Sequence, residues 1–199
     1  LSPFSLLLAS QSPRRRQLLE SIGLSFKILD IDVEELPTKT KIKAALFVCK
    51  NAEKKALAGL EKAKETEIVI GADTIVTIKN QILGKPKDLE EAYRFLSLLS
   101  GKTHKVFTGI SLASKSLGTR KNFDCSEVTF KKLSKSEISA YLSTKEPYDK
   151  AGAYAIQGLG SILIKNIKGS YTNIMGFPIE LFLSELEKLS KIKIYKWFR

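Results

Sequence analysis

The sequence predicts an α/β protein built on one continuous mixed sheet flanked by helices, and three observations carry that prediction. Short apolar runs of strand length alternate with stretches of helical spacing along the whole of the 199 residues. Helix-start signals, a Ser or Asp with Glu three residues later, stand before two of the helical stretches. No internal repeat or low-complexity linker divides the chain, so residues 1–199 are expected to form a single domain. Paired strands in its middle would make a second lobe, with the ligand cleft between the two lobes.

Phe4 to Leu8 reads as a buried strand stopped by small and polar residues. A helix follows, with Ser12 as N-cap, Pro13 at the first helical position, Leu18, Leu19 and Ile22 as the apolar stripe, and Gly23 as the stop. Phe26 to Ile31 predicts a strand that runs into the acidic segment Asp30 to Glu35. From Ile42 to Lys64, the spacing of Ala45, Leu46, Val48, Ala52, Ala56 and Leu60 predicts a helix whose lysines form a solvated face. Ile68 to Ala72 predicts a central strand ending at Asp73; Thr74 to Ile78, the polar turn Lys79-Asn80-Gln81 and Ile82-Leu83 predict a hairpin. Asp88 with Glu91 opens a helix to Leu99, and Ser134 with Glu137 opens one through Tyr141. Between them lie strands at His104 to Ala113 and Asn122 to Lys131, joined by a turn at Ser114 to Gly118. A glycine-rich loop at Gly152 to Gly160, a strand at Ser161 to Ile167, a helix after Pro178 and an alternating strand from Lys191 complete the chain.

The hydrophobic fraction of 43% excludes a disordered or fibrous protein. Leu6-Leu7-Leu8-Ala9 is too short for a membrane span or a signal-peptide core, so an unexported, cytoplasmic protein without membrane association is expected. Cys49 and Cys125 lack the spacing of a zinc site or a disulfide framework and read as reduced thiols. A formal charge of +12 favours nucleotides, nucleic acid or an acidic surface by long-range attraction, without choosing among them.

Four segments could carry chemistry. In Ser10-Gln11-Ser12-Pro13-Arg14-Arg15-Arg16, free backbone amides, the positive end of a helix and guanidinium forks would converge on an anion such as triphosphate; the alternative is an N-capped surface helix with solvated arginines. Gly71-Ala72-Asp73-Thr74 places a carboxylate where a strand leaves the sheet, suited to a divalent ion or to orienting water, or simply to capping a turn. Gly84-Lys85-Pro86 holds a lysine on a stiff loop, either to neutralise phosphate or as an exposed turn residue; Glu34 and Glu35 offer a metal ligand or an acidic loop. In Asp149 to Gly158, small residues allow close backbone approach and the Gln157 amide suits a base edge, with a structural loop as the alternative. The lone His104 has no triad around it and reads as structural or surface, while Tyr195 and Trp197 leave nucleic-acid binding open.

Taken together, Leu8-Ala9-Ser10 with Ser12-Pro13-Arg14-Arg15, Gly71-Ala72-Asp73-Thr74, Lys85-Pro86, Ser100-Gly101 with Thr103-His104, and Asp149 to Gln157 resemble the Maf family of nucleoside triphosphate pyrophosphatases, in this order and over nearly the whole chain. The resemblance implies a two-lobed α/β fold similar to inosine-triphosphate pyrophosphatases, commonly dimeric, that cleaves between the α and β phosphates. Arg14, Thr74 and Gln157 match the specificity positions of the branch acting on dTTP, UTP and modified pyrimidine nucleotides; a 7-methyl-GTP-type enzyme is the alternative within the family. By the same resemblance Asp73 is the catalytic carboxylate, as base or metal ligand, and Glu35 helps to hold Mg2+ or Mn2+. Ser10, Arg14, Arg15, Lys55 and Lys85 cradle the phosphates, their cations stabilising the leaving pyrophosphate. Ala155 stands where the family commonly has glycine. The family's link with septum inhibition, together with the +12 charge, motivates a competing expectation of a basic nucleic-acid-binding or division-regulating protein.

Overall fold

The computed structural model describes residues 2–144 and 146–198. Strand β1 (Ser5–Leu8) leads into helix α1 (Pro13–Ser21) and a short strand β2 (Phe26–Ile28). Helix α2 (Ala44–Lys62) precedes the long strand β3 (Glu67–Ile78), which turns at Lys79 and Asn80 into β4 (Gln81–Leu83). Helix α3 (Leu89–Leu99) is followed by β5 (Thr103–Ser114), β6 (Gly118–Phe130) and helix α4 (Lys135–Leu142). Three short 3-10 turns lead to β7 (Ile164–Lys168), the single-turn helix α5 (Tyr171–Ile174) and helix α6 (Ile179–Ser190).

All these strands join one sheet in the order β2-β1-β3-β5-β6-β7, with β4 also paired to β3. β1 is parallel to both its neighbours and every other pairing is antiparallel, which makes the mixed sheet that the sequence predicts. The register of β3 decides where the cleft lies. β1 accompanies it only as far as Leu8↔Ile70, and β4 takes up the same edge only from Val76↔Leu83. Between these two pairings, Gly71 to Ile75 have no strand beside them on that edge among the described residues.

Alternation along β3 separates its two faces. Val69 and Ile75 pack beneath α2 in clusters with Ala63, Phe47 and Val48. The helix backbone rests directly on the sheet there: a Cβ on Gly71 would lie 2.1 Å from the Ala52 carbonyl oxygen, and one on Gly109 2.5 Å from that of Val48. On the opposite face, Ile68, Ile70 and Ala72 pack with Leu18, Leu19, Phe182 and Leu186 from α1 and α6. Val76 and Ile78 pack with Phe95, Leu96, Ile138 and Tyr141 from α3 and α4. Each fully buried aliphatic or aromatic side chain contributes roughly 1.5–3 kcal/mol over its exposed state. Thr74 is the polar residue between those two apolar groups.

Several elements differ from expectation for identifiable reasons. The predicted Ile68–Ala72 and Thr74–Ile78 strands are one strand, so Asp73 is not at a strand end but in mid-strand. β2 stops at Ile28, short of the predicted Ile31, because its partner β1 ends at Leu8. Residues 158–163 form a 3-10 turn before β7 begins at Ile164. Among the described residues no strand forms from Lys191. That residue takes a left-handed conformation (φ 59°), the Glu187 carboxylate accepts the Ile194 amide, and a turn at Ile194–Lys196 follows. Its apolar side chains join the α6 core, and only Phe198 bridges to Leu24. Ser134 and Glu137 make the complete capping box, whereas the Glu91 carboxylate bonds the Lys87 amide and so completes only half of one with Asp88.

Candidate active site

A cleft of about 1070 Å³ opens at the unpaired stretch of β3. The nine residues that the family resemblance assigns to the site, Ser10, Arg14, Arg15, Glu35, Lys55, Asp73, Thr74, Lys85 and Gln157, all line it, whereas Arg16 and Glu34 do not. The site therefore forms because the neighbouring strands stop, not because β3 does.

Its carboxylate centre lies on the α2 side. Asp73 is buried, with Oδ1 accepting from Lys55 Nζ at 2.9 Å and Oδ2 from Asn51 Nδ2 at 3.0 Å. Lys55 Nζ also lies 2.6 Å from Glu35 Oε1 and donates to the Ala72 carbonyl at 3.3 Å, so one ammonium bridges two carboxylates. Asn51 and Lys55 are four residues apart on α2 and hence share the face turned to the sheet. Lys55 is the exception to the solvated lysine face that the helix pattern predicts. Burial works to raise the pKa of Glu35, but the charge and hydrogen bond of Lys55, with smaller help from Lys85 and Arg15, outweigh it and hold the carboxyl below its ordinary value.

Asn51 was not singled out in the sequence. Its Oδ1 accepts the Leu36 amide at 3.0 Å, so one side chain ties Asp73 to the loop carrying Glu35. The available signal was a polar residue inside the apolar stripe, three positions after Val48 and one before Ala52.

The serine and arginine segment meets the site from the opposite face. Ser10 Oγ accepts from the Ser12 amide at 3.3 Å and from Arg15 Nη1 at 3.0 Å. Ser12 occupies the N-cap position of α1, yet its own side chain makes no capping bond. Arg15 is buried, and its other nitrogens donate to the Gly176 carbonyl at 2.9 Å and to Thr74 Oγ1 at 3.1 Å. Every nitrogen of this guanidinium thus already holds a protein acceptor, and its first effect is to fix Ser10 and Thr74 in place. Thr74 Oγ1 lies 3.0 Å from Thr108 Oγ1, which donates to the Asn173 carbonyl at 3.0 Å. Asp73 and Thr74 are neighbours in sequence but serve opposite faces of the sheet. Arg14 reaches across to Asp149 Oδ2 at 2.9 Å, whereas Arg16 pairs with Glu20 on the exposed side of α1.

The segment from Asp149 to Gln157 closes the far wall. Gly152 donates its amide to the Gly84 carbonyl at 3.0 Å, joining this loop to the residue before Lys85. Gly152 (φ 71°) and Ala153 (φ 61°) are both left-handed, and a Cβ on Gly152 would lie 2.9 Å from Val76. Ala155 takes no positive φ, so alanine is accommodated there without backbone strain. Gln157 is exposed at the cleft, and its amide makes no hydrogen bond among the described residues. Lys85 is likewise exposed, with no ion pair among the described residues.

Among the described residues no three His, Cys, Asp or Glu side chains gather as a metal cluster. Glu35 and Asp73 nevertheless present hard oxygen donors on either side of the Lys55 ammonium. That donor set fits Mg2+ or Mn2+, since such ions bind through one or two carboxylates together with waters and substrate phosphates. Trp197 is buried, which withdraws it from any nucleic-acid stacking role. No helix among the described residues is long and apolar enough to cross a membrane.

Residues 5–189 match the family described as Maf-like protein. A protein of a Thermoanaerobacter species named dTTP/UTP pyrophosphatase is 42% identical over 190 residues, covering 95% of this chain and 98% of that protein. One of the same name from Bacillus cytotoxicus is 47% identical over 182 residues, covering 92% and 94%. Among solved structures, the Staphylococcus aureus Ham1 protein aligns with a TM-score of 0.54 at 15% identity, covering 92% of this chain and 98% of that one, which shows a shared fold.

Proposed function

The chain belongs to the Maf-like protein family, and on that premise we propose that it hydrolyses dTTP and UTP, and modified pyrimidine nucleotides, to the nucleoside monophosphate and pyrophosphate. One observation carries the reading: a buried carboxylate, Asp73, is held by Lys55 and Asn51 at the open edge of β3, in a cleft whose walls carry Arg14, Lys85 and Gln157.

Arg14 and Lys85 would bind the triphosphate, with Ser10 held in place for it by Arg15. Arg14 must exchange its Asp149 partner for phosphate, and the planar guanidinium fork suits both. Lys55 offsets part of the charge of the two carboxylates it bridges, and Arg14 and Lys85 would offset charge arriving with the substrate. Asp73 has lone pairs beyond those engaged by Lys55 and Asn51, and these would orient the attacking water and take its proton. Attack at the α phosphorus breaks the bond to the bridging oxygen, and the electron pair leaves with pyrophosphate. Charge developing there is stabilised by the cations of the cleft. Glu35 and Asp73 would hold a Mg2+ or Mn2+ ion, which when bound supplies Lewis-acid polarisation of phosphate oxygens. On the opposite face Thr74 shapes the pocket for the base, and the free Gln157 amide can donate to and accept from a pyrimidine edge.

A homodimeric, cytoplasmic enzyme is part of the same proposal, and light scattering of the purified chain tests the first point. For the activity, purified protein with dTTP or UTP and Mg2+ or Mn2+ should release pyrophosphate and monophosphate in equal amounts. Absence of release across a full nucleotide panel with both metals overturns it.

A further inference from the structure

We propose that His104, a residue outside the lining of the cleft, is a positioning residue for the base-reading wall of the cleft, acting through Tyr154. The inference rests on the pyrophosphatase reading above and extends it to a residue that the reaction does not touch.

His104 stands on β5 and is 2% exposed, within the core formed by α3 and α4. Its Nε2 lies 2.7 Å from the Tyr154 hydroxyl, a hydrogen bond between two buried side chains. His104, Phe130 and Tyr154 pack mutually edge to face, with centroids 4.7 to 5.3 Å apart, so the three rings form one buried cluster. Nδ1 is buried with no partner among the described residues. A histidine serving only to fill space would be replaced without loss by phenylalanine; here its one polar contact is spent entirely on Tyr154. Burial also lowers its pKa to about 4, so the ring is neutral at physiological pH and adds no charge to the core.

Tyr154 is where this bond acts on the site. It follows directly on Gly152 and Ala153, two consecutive left-handed residues, and itself lines the cleft. A chain in that conformation needs its surroundings to hold it. Three residues further on is Gln157; upstream, Gly152 is bonded to Gly84 beside Lys85, and Asp149 is bonded to Arg14. The far side of Gln157 is fastened independently, the Glu146 carboxylate accepting the amides of Leu159 and Gly160 at 3.1 and 2.8 Å. Gln157 is thus a free amide on a loop anchored at both flanks, and His104 supplies the anchor on the Tyr154 side. Release of that anchor moves Gln157 relative to Thr74 and should blur the choice of base before it weakens the chemistry at Asp73.

The test uses the intact chain and compares wild type, His104→Phe, His104→Gln, Tyr154→Phe and the double variant His104→Phe with Tyr154→Phe. Wild-type release of pyrophosphate from UTP and dTTP is measured first, and its absence would count against the pyrophosphatase reading. With an active wild type, Tyr154→Phe keeps the ring and removes only the hydroxyl. It should raise KM for UTP about tenfold with little change in kcat, and narrow the kcat/KM preference for UTP over CTP by a similar factor. His104→Phe should do the same, and the double variant should be no worse than either single one because both remove the same bond. His104→Gln, whose amide can reach the Tyr154 hydroxyl, should restore most of the preference. Unchanged KM and preference in Tyr154→Phe would overturn the inference, as would additive losses in the double variant.

Discussion

Gly71→Ala should unseat helix α2 and take the carboxylate centre with it. The added Cβ would lie 2.1 Å from the Ala52 carbonyl oxygen and 2.7 Å from the Ala56 amide nitrogen, both backbone atoms of α2 that no rotamer change can move. Ordinary contact begins near 3.4 Å, so the helix must retreat by about 1.3 Å or the strand must bend by the same amount. Asn51 and Lys55 ride on that stretch of α2, and their bonds to Asp73, now 3.0 and 2.9 Å, would open beyond hydrogen-bond reach. Overpacking of this kind costs about 3 kcal/mol, which lowers Tm by about 6–12 °C in a chain of this size. Misplacing a reacting group by about 1 Å costs on the order of 10²-fold in rate. Thermal unfolding and pyrophosphate release from dTTP measure the two effects. Gly118→Ala serves as control, because its φ of 81° is strained but its Cβ would meet nothing within 4 Å. It should lose only about 1–2 kcal/mol of stability and no activity. A Gly71→Ala protein with Tm within about 1 °C and kcat within about twofold of wild type would refute the reasoning, since surface-like tolerance is incompatible with that contact.

Four further outcomes are expected. Asp73→Asn should lower kcat by about 10²–10⁴-fold with KM little changed, as measured by steady-state kinetics on UTP; unchanged turnover removes Asp73 from the reaction. Asn51→Ala should cost about 1–3 kcal/mol in urea unfolding and lower kcat more than it raises KM, because Asp73 and the Leu36 amide lose one shared partner. The Glu35 carboxyl has its pKa lowered in the folded state, so its contribution is complete above the ordinary value of 4.5 and is lost as pH falls through the lowered one. The stability difference between wild type and Glu35→Gln should therefore shrink on acidification across that window, and a difference independent of pH would contradict the pairing with Lys55. Chelation with EDTA should abolish activity and added Mg2+ or Mn2+ should restore it, whereas full activity under chelation would contradict the proposed roles of Glu35 and Asp73 as ligands.

Elements whose signal is local were legible in the sequence. The apolar stripe of α2, the complete capping box at Ser134 and the hairpin around Lys79-Asn80 depend on residues within one or two turns of each other. The site residues were legible as a set because their motifs, taken in order, resembled one family, although each alone left a structural reading open. Through that resemblance the sequence grouped Ser10, Arg14, Arg15, Glu35, Lys55, Asp73, Thr74, Lys85 and Gln157 in one site, while its own strand pattern put Asp73 at the end of a strand.

Only the tertiary structure decided how they divide. Asp73 is exposed to the cleft in mid-strand because β1 stops at Leu8 and β4 starts only opposite Val76, a matter of which strands are neighbours and in what register. Arg15 turns inward to hold Ser10, Thr74 and Gly176, and Arg14 reaches Asp149, because partners up to 161 residues away in sequence are brought beside α1. Asn51 and His104 acquire their places in the same way, from buried partners that spacing along the chain does not reveal. The physical reason is one of range: helix periodicity and capping are settled by nearest neighbours, whereas burial, strand order and the pairing of isolated polar groups are settled by the whole packed chain.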